Sequence, residues 1–310
     1  MSSYATAARL VNLRRLRAIY AAVRHDAGTV EHSETTDPEL VALVAEPYES
    51  LDGARDRLGE LEELLRRRED RRAVFLTIYT AMTRAVQHSI ENGTFADPEW
   101  MRTYTVTFAN YYREAFSNFE QGRVQAVPEP WRIAFETAVS GDALIVQDAF
   151  LGINAHINYD LALAIRDVGV DPNRAVKRED HRAINDILAR LVDAQQAALA
   201  DLYASGIDDV DVTLGRFDEI VSLFTLTEAR AQAWRVGTVL ADVDFRPVEA
   251  YARWVLRTTA TGGAVFVLAP SLSPDVMRVL EQVERGDQFD FGETLEAVSR
   301  EVSKATDGSS

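Results

Sequence analysis

Signals that begin an α-helix recur along this chain, and they constrain its fold more than any other feature. Asp37-Pro38, Asp97-Pro98 and Ser273-Pro274 each place a capping side chain before proline, the residue favoured at the first position of a helix. Asp142 is a further candidate cap. Apolar residues between these signals are mostly spaced three and four apart, as on one face of a helix. The sequence therefore predicts an all-α protein.

The helices are expected to form one bundle, because no Pro/Gly/Ser-rich linker separates them. We predict about nine to eleven helices around a central helix at about 143–168. The predicted core is 70–244, with an N-terminal helical extension at 1–69 and C-terminal helices at 245–310. The run from Gly262 to Leu268 is ambiguous, since it could be a short strand or the buried end of a helix that begins near Pro247.

The charge balance excludes some partners. The 310 residues include 49 Asp and Glu against 33 Lys and Arg, a formal net charge of −16. Nucleic-acid binding depends on basic patches, so no nucleic-acid partner is expected. Lysine occurs only at Lys177 and Lys304. An acidic, lysine-poor surface suits a protein dissolved in concentrated salt, which predicts a halophilic cytoplasmic protein. A GC-rich genome would explain the arginine but not the acid excess.

The chain has no cysteine, so a disulfide or a thiolate site is excluded, and a metal would need His and carboxylate ligands. Arg14 and Arg15 resemble a twin-arginine export signal. The apolar run that follows, Ala18 to Val23, is too short for such a signal, which again favours a cytoplasmic location.

An amphipathic first helix is predicted at the N-terminus, with an apolar stripe at Leu10, Leu13, Leu16, Tyr20 and Val23 and arginines on the other face. We expect this stripe to pack on the rest of the protein. The alternative is attachment to a membrane surface, which the few bulky apolar residues and the acidic body make the weaker interpretation.

The central segment, 142–168, carries polar side chains within an apolar helix. Its flanks are apolar on nearly all sides, so the helix is expected at the centre of the bundle. His156 and Asp160 are four residues apart and therefore neighbours on one face, and Asn154 and Asn158 form a second pair rotated around the axis. Buried polar groups must find partners, so these four residues form either a structural network or a site.

Two interpretations of this centre stay open. In the first, the protein is a small-molecule enzyme, in which His156, Asp160 and His181 are catalytic acid–base groups or ligands of a divalent metal ion. His181 has a polar partner four residues on, at Asn185, and Asn154, Asn158 and Asn185 would then bind substrate. In the second, the protein is a non-catalytic binding or interaction protein whose polar centre is a hydrogen-bond network.

A resemblance supports the importance of these residues. The segments RRAVFLTIYTAMTRAV, GTFADPEWMRTYTVTFANYY, LGINAHINYDLALAI, HRAIND and ARAQAW resemble the family known as domain of unknown function 5995 (DUF5995). The resemblance covers about Arg71 to Leu240, and NAHINYDL is its most specific motif. It implies a shared helical core and no particular reaction.

Aromatic residues give the only indication of a ligand. Tyr104, Phe108, Tyr111, Tyr112 and Phe116 follow helical spacing and could line an apolar pocket beside the polar centre, although such stripes are more often plain core. If the pocket exists, an apolar small molecule is the expected partner. The sequence does not determine the oligomeric state, the substrate or the metal.

Overall fold

A computed structural model describes residues 3–7, 10–11, 13–24, 37–204 and 226–268, together with 284, 291–293, 295–296 and 299–300 near the C-terminus. These residues form twelve α-helices and no strand, so the predicted all-α class is confirmed. The division into three segments stays a prediction. No helix in the described ranges combines the length and the apolar character needed to cross a membrane.

The helices differ widely in length. In chain order they are α1 (Ser3–Ala7), α2 (Leu13–Arg24), α3 (Pro38–Val44), α4 (Leu51–Arg67), α5 (Ala73–Glu91), α6 (Pro98–Glu120), α7 (Glu129–Ser140), α8 (Ile145–Ala155), α9 (Leu161–Val168), α10 (Arg174–Ala204), α11 (Leu226–Asp242) and α12 (Arg246–Leu268). A short 3-10 helix, Val124–Ala126, precedes α7, and a π-helical turn, His156–Asp160, joins α8 to α9.

The predicted helix starts were correct where the structure describes them, with one exception. Asp37 caps α3 by accepting hydrogen bonds from the backbone of Glu39 and Leu40, and Asp97 caps α6 through Trp100. Ser273-Pro274 lies outside the described residues. The expectation for Asp142 was wrong: α8 is preceded by Leu144, whose N–H donates to the Gln147 side chain. The ambiguous run from Gly262 to Leu268 is helical and forms the end of α12.

The first helix packs on the rest of the protein as expected, but three of the predicted stripe residues do not make the contact. Leu10 is buried, but Leu16, Tyr20 and Val23 are 52%, 57% and 72% exposed. The helix instead buries Ala18 and Ile19 against α12. Contact through small residues brings the two backbones closer than a stripe of leucine and tyrosine would allow.

The buried side chains form two clusters that meet at the central helix. One cluster lies around α9 and α11 and includes Ile157, Leu161 and Trp234. The other lies among α4 to α8 and includes Phe75, Trp131 and Ala155. His156, between Ala155 and Ile157, therefore lies where the two clusters join. The prediction of a central helix at about 143–168 was correct in position.

Candidate functional site

The polar centre is formed where the central helix changes from α to π geometry. Residues His156–Asp160 form one π-helical turn, and α9 continues directly from it. Such single turns inside an α-helix are uncommon and are frequent at functional sites. His156 and Asp160, the first and last residues of the turn, are 2% and 1% exposed.

The predicted contact between His156 and Asp160 is present. His156 Nδ1 and Asp160 Oδ2 share a hydrogen bond of 3.0 Å. Trp131, on α7, donates from its indole Nε1 to the same Oδ2 at 2.7 Å. The pair therefore has a third partner, since the indole N–H holds the carboxyl group in its orientation toward the imidazole.

Aromatic rings surround the His156 imidazole. Phe108 stacks on it with ring centroids 3.5 Å apart and an angle of 9° between the planes. Tyr79 meets it edge to face at 4.4 Å, and Phe75 does so at 5.7 Å. Gly152 permits this packing, because a Cβ atom there would lie 2.3 Å from the Phe75 ring. The imidazole is enclosed on its faces by apolar surface.

This enclosure favours the neutral form of both groups in the pair. Burial lowers the pKa of His156 well below its usual value, and it raises the pKa of Asp160 well above its usual value, although the hydrogen bond from Trp131 opposes the second shift. Both effects have the same physical cause, since a low-dielectric environment disfavours a charge. The surroundings therefore favour a neutral hydrogen-bonded pair over an ion pair.

Several polar atoms around this pair are buried without a hydrogen-bond partner among the described residues. They include His156 Nε2, Asp160 Oδ1 and the hydroxyl groups of Tyr79 and Tyr112. Leaving such a group unpaired costs about 1–3 kcal/mol, so unpaired groups concentrated in one place call for an explanation. A bound water or ligand would supply the missing partners.

His181 forms a second centre on α10. Its Nε2–H donates to the backbone carbonyl of Arg230 at 3.1 Å, and its Nδ1 accepts from the Tyr104 hydroxyl at 2.9 Å. Because the carbonyl can only accept, this arrangement fixes the tautomer. Burial and the neighbouring Arg230 charge lower the pKa of His181 well below its usual value. This imidazole is also neutral, and both of its nitrogens are paired.

Arg230, on α11, holds this second centre together. It is only 2% exposed, and its guanidinium donates from Nη2 to the His181 carbonyl at 2.6 Å and from Nε to Asn185 Oδ1 at 2.8 Å. The i,i+4 pair predicted between His181 and Asn185 is thus bridged by an arginine from another helix. Asn185 contacts the Arg230 side chain rather than the imidazole.

A cavity of about 40 Å³ separates the two centres. Tyr79 and Phe108, which pack on His156, line one part of it, and Tyr104 and Arg230, which contact His181, line another. One water molecule needs a cavity volume of about 10–15 Å³, so this cavity can hold a small group of atoms. Most of its remaining surface is apolar and comes from Met82, Val86, Leu161 and Ile184.

The second predicted pair, Asn154 and Asn158, belongs to a helix contact. Asn154 is fully buried and donates to the Ala260 carbonyl of α12 at 2.8 Å, while Asn158 donates to Asn154 Oδ1 at 3.0 Å. Gly263 makes room for them, since a Cβ atom there would lie 2.3 Å from Asn154 Oδ1. Their predicted role in binding substrate stays untested, and the contacts they make are between helices.

The structure brings some predicted residues together and leaves others apart. His156 and Asp160 touch each other, whereas His181 is joined to His156 only through the rings of Phe108 and Tyr104. In the part of the chain that the structure describes, no three His, Asp or Glu side chains are grouped as they would be around a metal ion. A metal site made by His156, Asp160 and His181 has no support from this arrangement.

Sequence reasoning missed the residues that come from distant segments. Trp131 is 29 positions from Asp160, and Arg230 is 49 positions from His181. Arg230 does lie in ARAQAW, one of the segments that carries the family resemblance, but an arginine on a helix usually faces solvent. Only the packing of α11 against α10 shows that it is buried.

Comparison with known proteins identifies one matching family. A model described as a family of unknown function, DUF5995, matches residues 51–270, a longer stretch than the resemblance in the motifs suggested. No curated protein and no solved structure matches the chain.

Proposed function

The chain belongs to DUF5995, a family of unknown function, and on the evidence of its own site we propose that it binds a small, mainly apolar molecule. The binding site is the cavity between the His156 and His181 centres. The observation that carries the proposal is that one cavity is lined by the ring partners of both buried histidines. A pocket with apolar walls and a few converging polar groups is the usual form of a small-molecule site.

The cavity can enlarge to admit a ligand. Met82 and Phe108 line it and are only partly buried, so they have room to move. Methionine is unbranched and adapts its shape to what it contacts. Displacement of Phe108 would also expose the face of the His156 ring on which it stacks.

A second candidate function is acid–base catalysis by the His156–Asp160 pair. The observation that favours it is His156 Nε2, which lies opposite the nitrogen that contacts Asp160 and has no partner among the described residues. A neutral imidazole oriented by a carboxyl group can accept a proton from a bound substrate. This chemistry needs no metal and would act on a ligand held in the same cavity.

The proposed binding is tested with 1-butanol as a probe, by following methyl NMR signals of the full-length protein. Met82 and Ile184 line the cavity, and their signals are expected to shift and saturate as 1-butanol is added. Ile133 lies in the other core cluster and is the internal reference. Shifts that do not saturate, or that are equally large at Ile133, would contradict the proposal.

A pair of variants locates the site. Val86→Phe fills the cavity, and we expect it to weaken 1-butanol binding by at least about tenfold, because the added ring occupies the space of the ligand. Val139→Phe makes the same change at a residue that is 57% exposed, and it should leave binding unchanged. Equal affinity in the two variants would place the probe elsewhere.

A further inference from the structure

Arg230 is a buried positive charge at the edge of the cavity. Its hydrogen bonds go to the His181 carbonyl, to Asn185 Oδ1 and, at 3.4 Å, to His181 Nδ1, all of which are uncharged. Arginine keeps its charge in proteins even when it is buried. Burying a cation with neutral partners alone is costly, and the described residues give Arg230 neutral partners alone.

The described residues supply no such anion. Among the ion pairs that they form, none includes Arg230. Tyr104 interacts with Arg230 and could form an anion, but burial raises the pKa of Tyr104 well above its usual value, which favours the neutral phenol.

Another buried arginine in this protein shows the usual solution. Arg72 is 9% exposed and pairs with two carboxylates, those of Asp70 and Glu120. The Arg72–Asp70 contact is 2.6 Å. A chain with 49 acidic residues thus pairs one buried arginine twice, and the described structure offers the more deeply buried Arg230 none. The difference between the two is that Arg230 borders a cavity.

We propose that the ligand of this cavity is a small carboxylic acid, bound as its anion, whose carboxylate pairs with the Arg230 guanidinium while its apolar part lies among Phe108, Leu161 and Ile184. The proposal rests on the proposed function and names the class of ligand. One guanidinium matches one carboxylate in charge and in planar geometry. The small volume and the apolar lining favour a short hydrocarbon chain over a phosphate ester.

The charge of the whole molecule makes a preference for an acid over the matching alcohol informative. At −16 the protein repels anions in general, so tighter binding of an acid than of the matching alcohol must come from a local cation. Burial disfavours a charge on His156 and on Asp160, so the other buried centre offers no competing cation.

The test compares butanoate with 1-butanol at constant ionic strength, using the Met82 and Ile184 methyl signals. Charge-assisted hydrogen bonds contribute enough for the wild-type protein to bind butanoate at least about tenfold more tightly than 1-butanol. Equal binding of the two probes would overturn the carboxylate proposal and leave the proposed function standing. Failure of both probes to bind would remove the proposed function as well.

Variants identify the cation. Arg230→Met should remove the preference for butanoate and leave 1-butanol binding within about threefold, since Met retains the length and apolar character of the side chain. Arg72→Met removes a buried arginine that already has carboxylate partners and should keep the preference. A preference that survives Arg230→Met would overturn the proposal.

A second variant supplies the missing anion without removing the arginine. Asn185→Asp places a carboxylate where Asn185 Oδ1 now accepts from Arg230 Nε at 2.8 Å. We expect it to weaken butanoate binding at least about tenfold and to leave 1-butanol binding unchanged, because the charge is then paired internally. Unchanged butanoate affinity would contradict the proposal, as would full competition by chloride at equal concentration, which would show a simple anion site.

Discussion

At the scale of single residues, the histidine–carboxyl pair at the centre owes its properties to its surroundings. His156 and Asp160 would be ordinary surface partners on an exposed helix, where such a pair adds only a few tenths of a kcal/mol. Phe108, Tyr79 and Trp131 enclose the pair, which favours the neutral form of both groups. Asp160 is the partner of His156 Nδ1, whereas Asp160 Oδ2 bonds to both His156 and Trp131. Removing Asp160 therefore leaves His156 Nδ1 and Trp131 Nε1 unpaired, and removing His156 leaves Asp160 with Trp131 alone.

The first prediction concerns this mutual dependence. His156→Leu and Asp160→Leu should each lower the free energy of unfolding by about 2–4 kcal/mol, through the unpaired partner and the altered packing. The double variant should lose at least about 1 kcal/mol less than the sum, because the hydrogen bond between the two residues is then counted once and His156 Nδ1 is no longer left unpaired. Urea unfolding of the four proteins measures the difference.

A control for this cycle is Tyr79→Phe. The Tyr79 hydroxyl has no hydrogen-bond partner among the described residues, so its removal should not lower the free energy of unfolding and should raise it by up to about 1–3 kcal/mol. Additive losses in the two leucine variants would show that the pair is not a coupled unit.

The sequence predicted the local part of this centre and not the rest. The spacing of four between His156 and Asp160 follows from helix geometry, and the contact is present, although through a π turn that no spacing rule indicates. Trp131 and Arg230 could not be assigned, because a contact between helices depends on how they pack. The spacing of residues along one helix does not predict such a contact.

At the scale of helices, glycines set how closely the elements approach the centre. Gly262 lies in the C-terminal part of α12 where α2 crosses it, and a Cβ atom there would lie 1.8 Å from the Ala18 carbonyl oxygen. Gly237 does the same for α11 against Ala162 of α9, at 2.7 Å. The run that looked β-like in sequence is thus a helix whose glycines permit backbone contact.

At this scale we predict that Gly262→Ala releases α2 from α12. The new methyl group meets backbone and not a flexible side chain, so the two helices must separate. We expect faster proteolytic cleavage near α2 in a time course of limited proteolysis, with a loss in the free energy of unfolding of about 1–3 kcal/mol.

Gly59→Ala is the matched control. Gly59 also lies inside a helix, but its added methyl group would meet only the end of the Arg84 side chain, at 3.4 Å. A helix favours alanine over glycine by about 0.5–1 kcal/mol, so this variant should be slightly more stable than the wild type. If the two variants had similar stability and similar proteolysis, helix propensity, and not contact with α2, would determine the effect of Gly262→Ala.

The exposed stripe of α2 shows why amphipathic spacing can mislead. Leu16, Tyr20 and Val23 are arranged as a buried face, yet the helix contacts α12 through Ala18 and Ile19. The position of Gly262 decides which face is buried, because it accepts close contact with a small residue. A pattern on one helix does not contain that information.

At the scale of the whole molecule, the cavity is the feature that could not be predicted from the sequence. Its lining comes from α5, α6, α9, α10 and α11. The all-α class, the central position of the polar helix and two members of the aromatic stripe, Tyr104 and Phe108, were predictable from spacing. That those two rings separate a pair of buried histidines follows only from the packed bundle.

The acidic surface stays a separate prediction about the environment of the protein. A net charge of −16 is compatible with a compact fold when salt screens the repulsion between carboxylates. The interior differs from the surface in how charge is treated. Burial favours the neutral form of groups such as His156, and the buried charge of Arg72 is paired. Arg230 is the exception on which the ligand proposal depends.

In this structure two histidines whose burial favours the neutral form flank a cavity. We would test this with side-chain ¹⁵N NMR spectra of the histidines at pH 5.5, recorded with and without 1-butanol. A histidine with the usual pKa near 6.5 would be mostly protonated at this pH. We expect neutral rings at His156 and His181, with the proton of His181 on Nε2, and shifts at both rings when 1-butanol is added. A charged imidazolium at either residue, or rings that do not respond to the probe, would contradict the account.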